Sequence, residues 1–322
     1  MRRDGSIGMA LRSKVGERRA RKSRQRKRAV AASEHVTTPH LCLVRAPRVP
    51  APPREIGTTI SVATYNVHRW TGLSGRSRPD PARAGFVISE IDADVIALQE
   101  VLRPLEGEDP LVALADALGL YVAFAATRVR KRGELGNAIL SRWPIAGVSM
   151  LNLTFTRIEK RVAVATQIQF PNLLLDVVST HLALGDRTRH VQVRSLLDHP
   201  QLSDRPTVLL GDMNAWRNCR ATRVLEDELS SSHHNLDWPS SFPSARPVLS
   251  LDRIYARGVK MTGVEAHDSP AARRASDHLP IVARIEPPPA TEVKQKPAKR
   301  NRRFRRGREG ASEIQGKDRK AL

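Results

Sequence analysis

Seven segments between residues 59 and 285 are apolar or β-branched along most of their length and carry a polar residue at an end. Those residues are Asn66, Glu100, Asn137, His181, Asp212 with Asn214, Asp252, and Asp277 with His278. A strand buried along its length and polar at its tip belongs to a covered sheet. Strand ends are also where a rigid frame presents side chains to a cleft. The pattern therefore calls for a β-rich scaffold with chemistry gathered along one edge.

The spacing of apolar residues fills in the scaffold. Strands are expected at 59–66 (TISVATYN), 94–98, 136–140, 148–153, 162–168, 173–179, 207–210, 250–255 and 281–285. Asp80 and Pro81 can open a helix whose apolar side is Ala82, Ala84, Val87, Ile88 and Ile91. Further helices are expected at 110–118 and 186–197. Strands outnumber helices, and several adjoin through short turns. An α/β (α+β) arrangement of two mixed sheets packed face to face, flanked by helices, fits better than a simple doubly wound sheet.

Charge sets the domain limits. The chain has a formal net charge of +21 over 322 residues. Residues 1–30 hold 12 Lys/Arg against 2 Asp/Glu, and residues 291–322 hold 12 against 4. The remainder is nearly balanced, with 30 basic and 27 acidic residues. Residues 46–54 (APRVPAPPR) form a Pro-rich linker, and Pro287-Pro288-Pro289 closes the apolar region. The expected organisation is a disordered basic tail and linker at 1–57, one domain at 58–286, and a second disordered basic tail at 287–322.

Two arms of this charge attract polyanions, with nucleic acid and an anionic membrane surface as candidates. Phe304 is the only aromatic residue in either arm, which gives base stacking little support. Cys42 and Cys219 lack CxxC spacing, so neither a disulfide framework nor a thiolate zinc site is expected. No run reaches the roughly 18 apolar residues of a membrane span. Met1-Arg2-Arg3 is not followed by an apolar signal core. An organelle transit peptide fits less well, because the opposite end has the same composition. These features together suit a cytoplasmic monomer.

Each polar strand end has an ordinary reading. Glu100 could be a solvated strand end, Asp212 a turn or cap, and Asn66 a loop brace. His181 could be a hydrogen-bonded core histidine, Asp252 a partner for a neighbouring Arg, and Asp277-His278 a turn before Pro280. As a set they form a hard-oxygen and imidazole inventory, the ligand chemistry of Mg²⁺ or Mn²⁺.

The set occurs in a telling order: TYNVH at 64–68, LQEV at 98–101, GNAILS at 136–141, STHL at 179–182, GDMNA at 211–215, LDRIY at 251–255 and SDHLP at 276–280. In these motifs the chain resembles the endonuclease/exonuclease/phosphatase superfamily. That superfamily includes DNase I-like nucleases, abasic-site endonucleases, inositol polyphosphate 5-phosphatases and neutral sphingomyelinases. The resemblance covers residues 58–286 and implies a four-layer α/β sandwich. It implies Glu100 as principal Mg²⁺ (or Mn²⁺) ligand, with Asn66 beside it and Asp277 completing the site. It implies Asp212 as the group that orients and deprotonates the attacking water, with Asn214 donating to a phosphate oxygen. His278, oriented by Asp252, would bind the scissile phosphate as imidazolium; His181 would be general acid, and Asn137 would support the phosphate.

One departure narrows the comparison. Abasic-site endonucleases carry a mid-chain catalytic Tyr, and none of Tyr65, Tyr121 and Tyr255 fits that place. His181 points instead to the DNase I, sphingomyelinase and phosphatase side. Arg157, Lys160 and Arg161 flank the 162–168 strand; Arg161 is a candidate for a second phosphate or headgroup, with a plain solvated edge as the alternative. His68-Arg69-Trp70 and Lys131-Arg132 could line the cleft or be ordinary loops.

The leading expectation is a Mg-dependent phosphodiesterase, a nuclease of low sequence specificity because of its arms. The rival is a phospholipid or inositol-phosphate phosphoesterase. A third reading is a non-catalytic binding protein on the same fold.

Overall fold

The structure, a computed structural model, describes residues 42–52, 54, 59–131, 133–199, 202, 205–229 and 237–287. Twelve strands form two sheets. The larger contains β1 (Cys42–Arg45), β2 (Ile60–Asn66), β3 (Val95–Arg103), β4 (Tyr121–Arg130), β5 (Gly133–Ser141), β11 (Lys260–Ala266) and β12 (Ile281–Glu286), in the order β1-β4-β5-β3-β2-β12-β11. The smaller contains β6 (Ile145–Asn152), β7 (Val162–Phe170), β8 (Leu173–His181), β9 (Thr207–Asp212) and β10 (Asp252–Arg257), in the order β10-β9-β8-β7-β6. Both are mixed, with β2 parallel to β3 and β8 parallel to β9.

The two sheets pack face to face over Val62, Val95, Ile139, Val164, Leu175, Val177, Leu210 and Ile254. The outer face of the larger sheet buries Ala63, Tyr65, Ile96, Leu98 and Leu140 under α1 (Pro81–Ile91), α2 (Pro110–Leu118) and α5 (Ala272–Ala275). The outer face of the smaller sheet buries Val178, Leu209 and Tyr255 under α3 (Asp186–Leu197) and α4 (Arg220–Leu229). These are the four layers expected from the sequence. The helix openings also follow the expected chemistry. The Asp80 carboxylate accepts from the Ala82 N–H, that of Asp109 from the N–H of Leu111 and Val112, and a proline follows each cap. Among the described residues, no helix is long and apolar enough to cross a membrane.

Some elements differ from expectation. Residues 42–45, assigned from sequence to the tail and linker, form an edge strand, with Cys42 opposite Ala125. The Pro-rich stretch after it is held down: Arg45 pairs with Asp116 at 2.9 Å, and the Ala51 N–H donates to the Gly119 carbonyl. The folded unit therefore starts well before residue 58. Strands β4 and β11 and helices α4 and α5 were not expected. In β4, YVAFAATRVR, the central alanines weaken a strand signal that pairing with β1 and β5 supplies. The basic tails at 1–41 and 288–322, and Arg132, lie outside the described residues.

Alternation explains how the site is placed. Residues 60, 62, 64 and 66 of β2 face inward, as do 175, 177, 179 and 181 of β8 and 208, 210 and 212 of β9. The inward series is apolar for most of each strand, then turns polar at Thr64, Asn66, Gln99, Asn137, Ser179, His181, Asp212 and Asp252. One end of the inter-sheet core is thus a buried polar layer. The register supports it, because His181 lies opposite Asp212 and Asp212 opposite Asp252. Close strand approach there needs Gly211, at φ 148°. A Cβ at that position would lie 1.9 Å from the Thr180 carbonyl oxygen.

Candidate active site

The polar layer is cross-linked between the sheets. The Asn66 amide donates to Asp212 Oδ2 at 3.1 Å, and Gln99 accepts from Thr64 and donates to the Ser179 hydroxyl. The Asn137 amide donates to the Val162 carbonyl at 2.8 Å. These bonds fix the spacing of the two strand tips before any substrate arrives. Buried polar groups bonded in this way hold one geometry.

Glu100 reaches the cleft by a break in the strand pattern. Residues 95, 97 and 99 face inward, yet Val101 joins the outer cluster, because a bulge interrupts β3 between Leu98 and Val101. Glu100 sits in that bulge at φ 53°, a left-handed conformation that a side chain of its size rarely adopts. His68, Arg69, Trp70 and Asn214 also have positive φ. Four of the six such non-glycine residues among those described, all but Trp70 and Asp92, border this one cleft, and strain of this kind marks functional sites. The left-handed turn at His68–Trp70 is pinned by the Trp70 indole donating to the Leu102 carbonyl and the His68 N–H donating to Asn66 Oδ1.

Around the cleft the charges fall into two groups. In the first, Glu100 pairs with Arg69 at 3.3 Å and Asp277 with His68 at 3.1 Å. Both carboxylates are partly exposed. Burial pushes the Asp277 pKa up and the Glu100 charge pushes it further, against the pull of His278 and His68. Two carboxylates that feel each other this way, with the Asn66 carbonyl beside them, suit a hard divalent cation. In the second group, His278 Nδ1 meets Asp252 Oδ2 at 2.7 Å, and the Ser241 hydroxyl donates to the same oxygen at 2.6 Å. His181 Nε2 lies 3.3 Å and His278 Nε2 3.8 Å from Asp212 Oδ2. One ligand-type atom from each of Asp212, Asp252 and His278 falls within a 4.8 Å cluster, so this group could also hold an ion.

The two histidines are driven apart. Burial alone would lower the His278 pKa, but the Asp252, Asp212 and Asp277 carboxylates outweigh it and raise the pKa to about 10. Burial and the Arg161 guanidinium lower His181 to about 3, against the pull of Asp212 and with help from His278 and Arg128. His278 is therefore a cation at neutral pH and His181 is neutral. Pairs split by their surroundings in this way reveal acid and base assignments. In the free protein His181 is not a general acid. That role needs the negative charge of a bound phosphate to raise its pKa.

The same split sets a pH profile for stability in chelator. The His278 contribution is complete below about 6.5, the ordinary imidazole value, and is lost as pH rises through about 10. The His181 contribution has the opposite sign. Below about 6.5 the unfolded chain takes up a proton that the folded one refuses until about 3. The Tm is expected to peak near neutrality and to fall on both sides, with His278→Gln flattening the alkaline fall. A Tm that climbs steadily from pH 7 to 9.5 contradicts the assignment.

All ten residues expected from sequence reach this end of the sandwich, though two side chains are turned differently. Asn214 donates its amide to the Leu182 carbonyl at 2.9 Å and its N–H to Asp212 Oδ1, so it braces Asp212. Asn137 spends one amide hydrogen on Val162. Asp252 does not pair with the Arg beside it. Arg253 faces the outer layer, towards Glu226 and the Ala215 carbonyl. Arg161 sits near His181, with Glu159 at 3.5 Å. The sequence reading missed Gln99, Ser179, Ser241 and Ser276. Ser276 donates to the Asn66 carbonyl at 2.6 Å and so ties the last motif to the first. Gln99, Ser179 and Ser276 stand inside the motifs themselves, next to or near the residues singled out. Ser241 carries no signal, being brought to Asp252 by the chain reversal at 241–249. A 560 Å³ pocket lined by Arg69, Arg128, Lys131, Leu102 and Leu135 adjoins the Glu100 side.

A four-layer sandwich with carboxylates, an aspartate-bound imidazolium and a second histidine at the facing strand tips defines the class of phosphoesterase-type hydrolases. Residues 63–278 match the endonuclease/exonuclease/phosphatase family, and the chain belongs to that family. It is 30% identical over 247 residues to the uncharacterized protein YbhP of Escherichia coli K12, covering 70% of this chain and 96% of that one. Its fold is similar to an endonuclease/exonuclease/phosphatase from Beutenbergia cavernae (TM-score 0.60, 24% identity, 73% of each chain). It is also similar to the human Nocturnin catalytic domain (TM-score 0.57, 19% identity, 72% of this chain and 96% of that one).

Proposed function

We propose that this protein is a divalent-metal-dependent phosphodiesterase. The observation that carries the reading is the buried Asp252–His278–Asp212 array beside the Glu100–Asp277 carboxylate pair at the end of the sheet interface. A Mg²⁺ or Mn²⁺ ion held by Glu100, Asp277 and Asn66 would neutralise charge on the phosphoryl group. These residues are preferred to the Asp212–Asp252–His278 cluster because that cluster is buried and its histidine is held as an imidazolium, which has no free lone pair to offer a metal.

Asp212 takes the proton of the attacking water. Asn66 and the Asn214 N–H, each bonded to a different Asp212 oxygen, hold the carboxylate in place. His278, kept cationic by Asp252, holds a non-bridging phosphate oxygen and steadies the charge that develops there. His181 stands beside Asp212, takes up a proton only once an anion is bound, and passes it to the leaving oxygen as that oxygen's bond to phosphorus breaks.

The test uses a soluble aryl phosphodiester. Turnover is expected with Mg²⁺ or Mn²⁺, is abolished by chelation and returns on adding the ion back. Turnover unaffected by chelator rules the reading out. As for substrate, the arms favour nucleic acid, whereas the absent mid-chain Tyr and the nearly balanced domain favour a phospholipid or related headgroup.

A further inference from the structure

Three loops at the mouth of the cleft each expose a large apolar side chain. Ile158, in the loop between β6 and β7, is 91% exposed; Leu184, just after β8, is 60%; Trp216, just after β9, is 59%. Strands β7, β8 and β9 are neighbours in one sheet, so the three loops leave it side by side. They are also tied together. The Leu184 N–H donates to Glu159 at 3.3 Å. One Arg189 nitrogen donates to the Ala183, Leu184 and Asn214 carbonyls at 3.1, 2.6 and 2.7 Å. The buried Arg189 thus acts as a staple beneath an apolar crest. Single exposed apolar residues need no explanation, but three on one hydrogen-bonded rim do.

The rim is positively charged. Arg157 and Lys160 on the first loop, Arg217 on the third, and Arg187 in the opening turn of α3 are exposed. The acids among them are already engaged. Glu159 binds Arg161 and the Leu184 N–H, and Asp186 binds Arg189 and Arg217. His181 and Asp212 lie three and four residues before Leu184 and Trp216, so the crest borders the cleft on the side of the smaller sheet.

We propose that this crest docks the protein on an anionic phospholipid surface and presents the cleft to a phosphodiester in a lipid headgroup. The lipid-substrate clause rests on the phosphodiesterase reading; the docking clause stands by itself. An interfacial Trp with aliphatic neighbours and a basic surround suits the headgroup boundary of a bilayer. A nucleic-acid strand would instead call for aromatic stacking platforms, and Ile158 and Leu184 offer none. This surface belongs to the folded domain and is separate from the basic arms.

The full chain is mixed with vesicles of phosphatidylcholine containing phosphatidylglycerol and brominated acyl chains. Trp70 is buried, and Trp143 and Trp238 are half-buried against Phe170 and Tyr255, so Trp216 is the tryptophan most open to quenching. Bromolipid is expected to quench the emission, and Trp216→Phe to remove the quenched component. Ile158→Ser with Leu184→Ser is expected to weaken partitioning by about tenfold or more at unchanged Tm. Equal partitioning of that variant without quenching shows attachment by the arms alone and overturns the proposal. Emission changed by a single-stranded oligonucleotide and not by vesicles overturns it in favour of nucleic acid. Self-association lost in the variant, without quenching, reassigns the crest to a second copy of the chain. Failure of the phosphodiesterase reading would show separately, as no turnover of the soluble aryl phosphodiester.

Discussion

Asp212→Asn is expected to lower kcat for aryl phosphodiester hydrolysis by about 10²–10⁴-fold, the range typical of a lost general base. The change is nearly isosteric, and Asp212 is 2% exposed with bonds to Asn66 and to the Asn214 N–H. An amide oxygen can still accept from one of these, so the strand tips remain joined and the effect should fall on kcat more than on KM. What disappears is the carboxylate that takes the water proton; the neighbouring His181, with a pKa lowered to about 3, is a poor substitute. Far-ultraviolet circular dichroism and Tm, measured beside the rate, separate loss of chemistry from loss of fold. A well-folded variant with a rate within tenfold of the parent would remove Asp212 from the mechanism.

The second large effect belongs to Asp252, which is fully buried. Asp252→Asn is expected to cost about 10²–10³-fold in rate, the scale of losing one preorganised charge-stabilising group. Asp252 bonds His278 Nδ1 and leads the carboxylates that hold this imidazole at a pKa of about 10 against burial. Without it the leading interactions that raise the pKa are gone, only the Asp212 and Asp277 charges still oppose burial, and the pKa falls. The remaining activity is therefore expected to rise towards acid pH, with the alkaline limb of the profile displaced downward. An unchanged alkaline limb would mean that His278 does not work as a cation. Ser241 donates to the same Asp252 oxygen, so Ser241→Ala is the milder control, trimming one bond and leaving the charge.

The two replacements test different links. Asp212 acts on the water and Asp252 acts through His278, so their pH signatures differ even where their rate losses overlap. Neither involves the crest of Ile158, Leu184 and Trp216, whose effects belong to lipid association.

Much of this arrangement is written locally in the chain. Apolar alternation with a polar last residue located β2, β8 and β9 and the ends that matter, because the two-residue period of a strand and burial on both faces leave few other solutions. Asp80-Pro81 and Asp109-Pro110 set the helix starts to the residue, since caps act within one turn. The metal-type and histidine inventory was legible for the same reason. Strand β1 was not legible, because four residues beside a Pro-rich run carry little signal until β4 offers an edge. The bulge that turns Glu100 inward, the left-handed turn that presents Arg69, and the opposite charge states of His181 and His278 also lie outside local sequence. Each depends on which distant groups come within a few ångströms and how much water is excluded. Local patterning puts these residues at the strand tips; packing two sheets face to face sets which of them are charged, which way they point, and which apolar side chains are left on the rim.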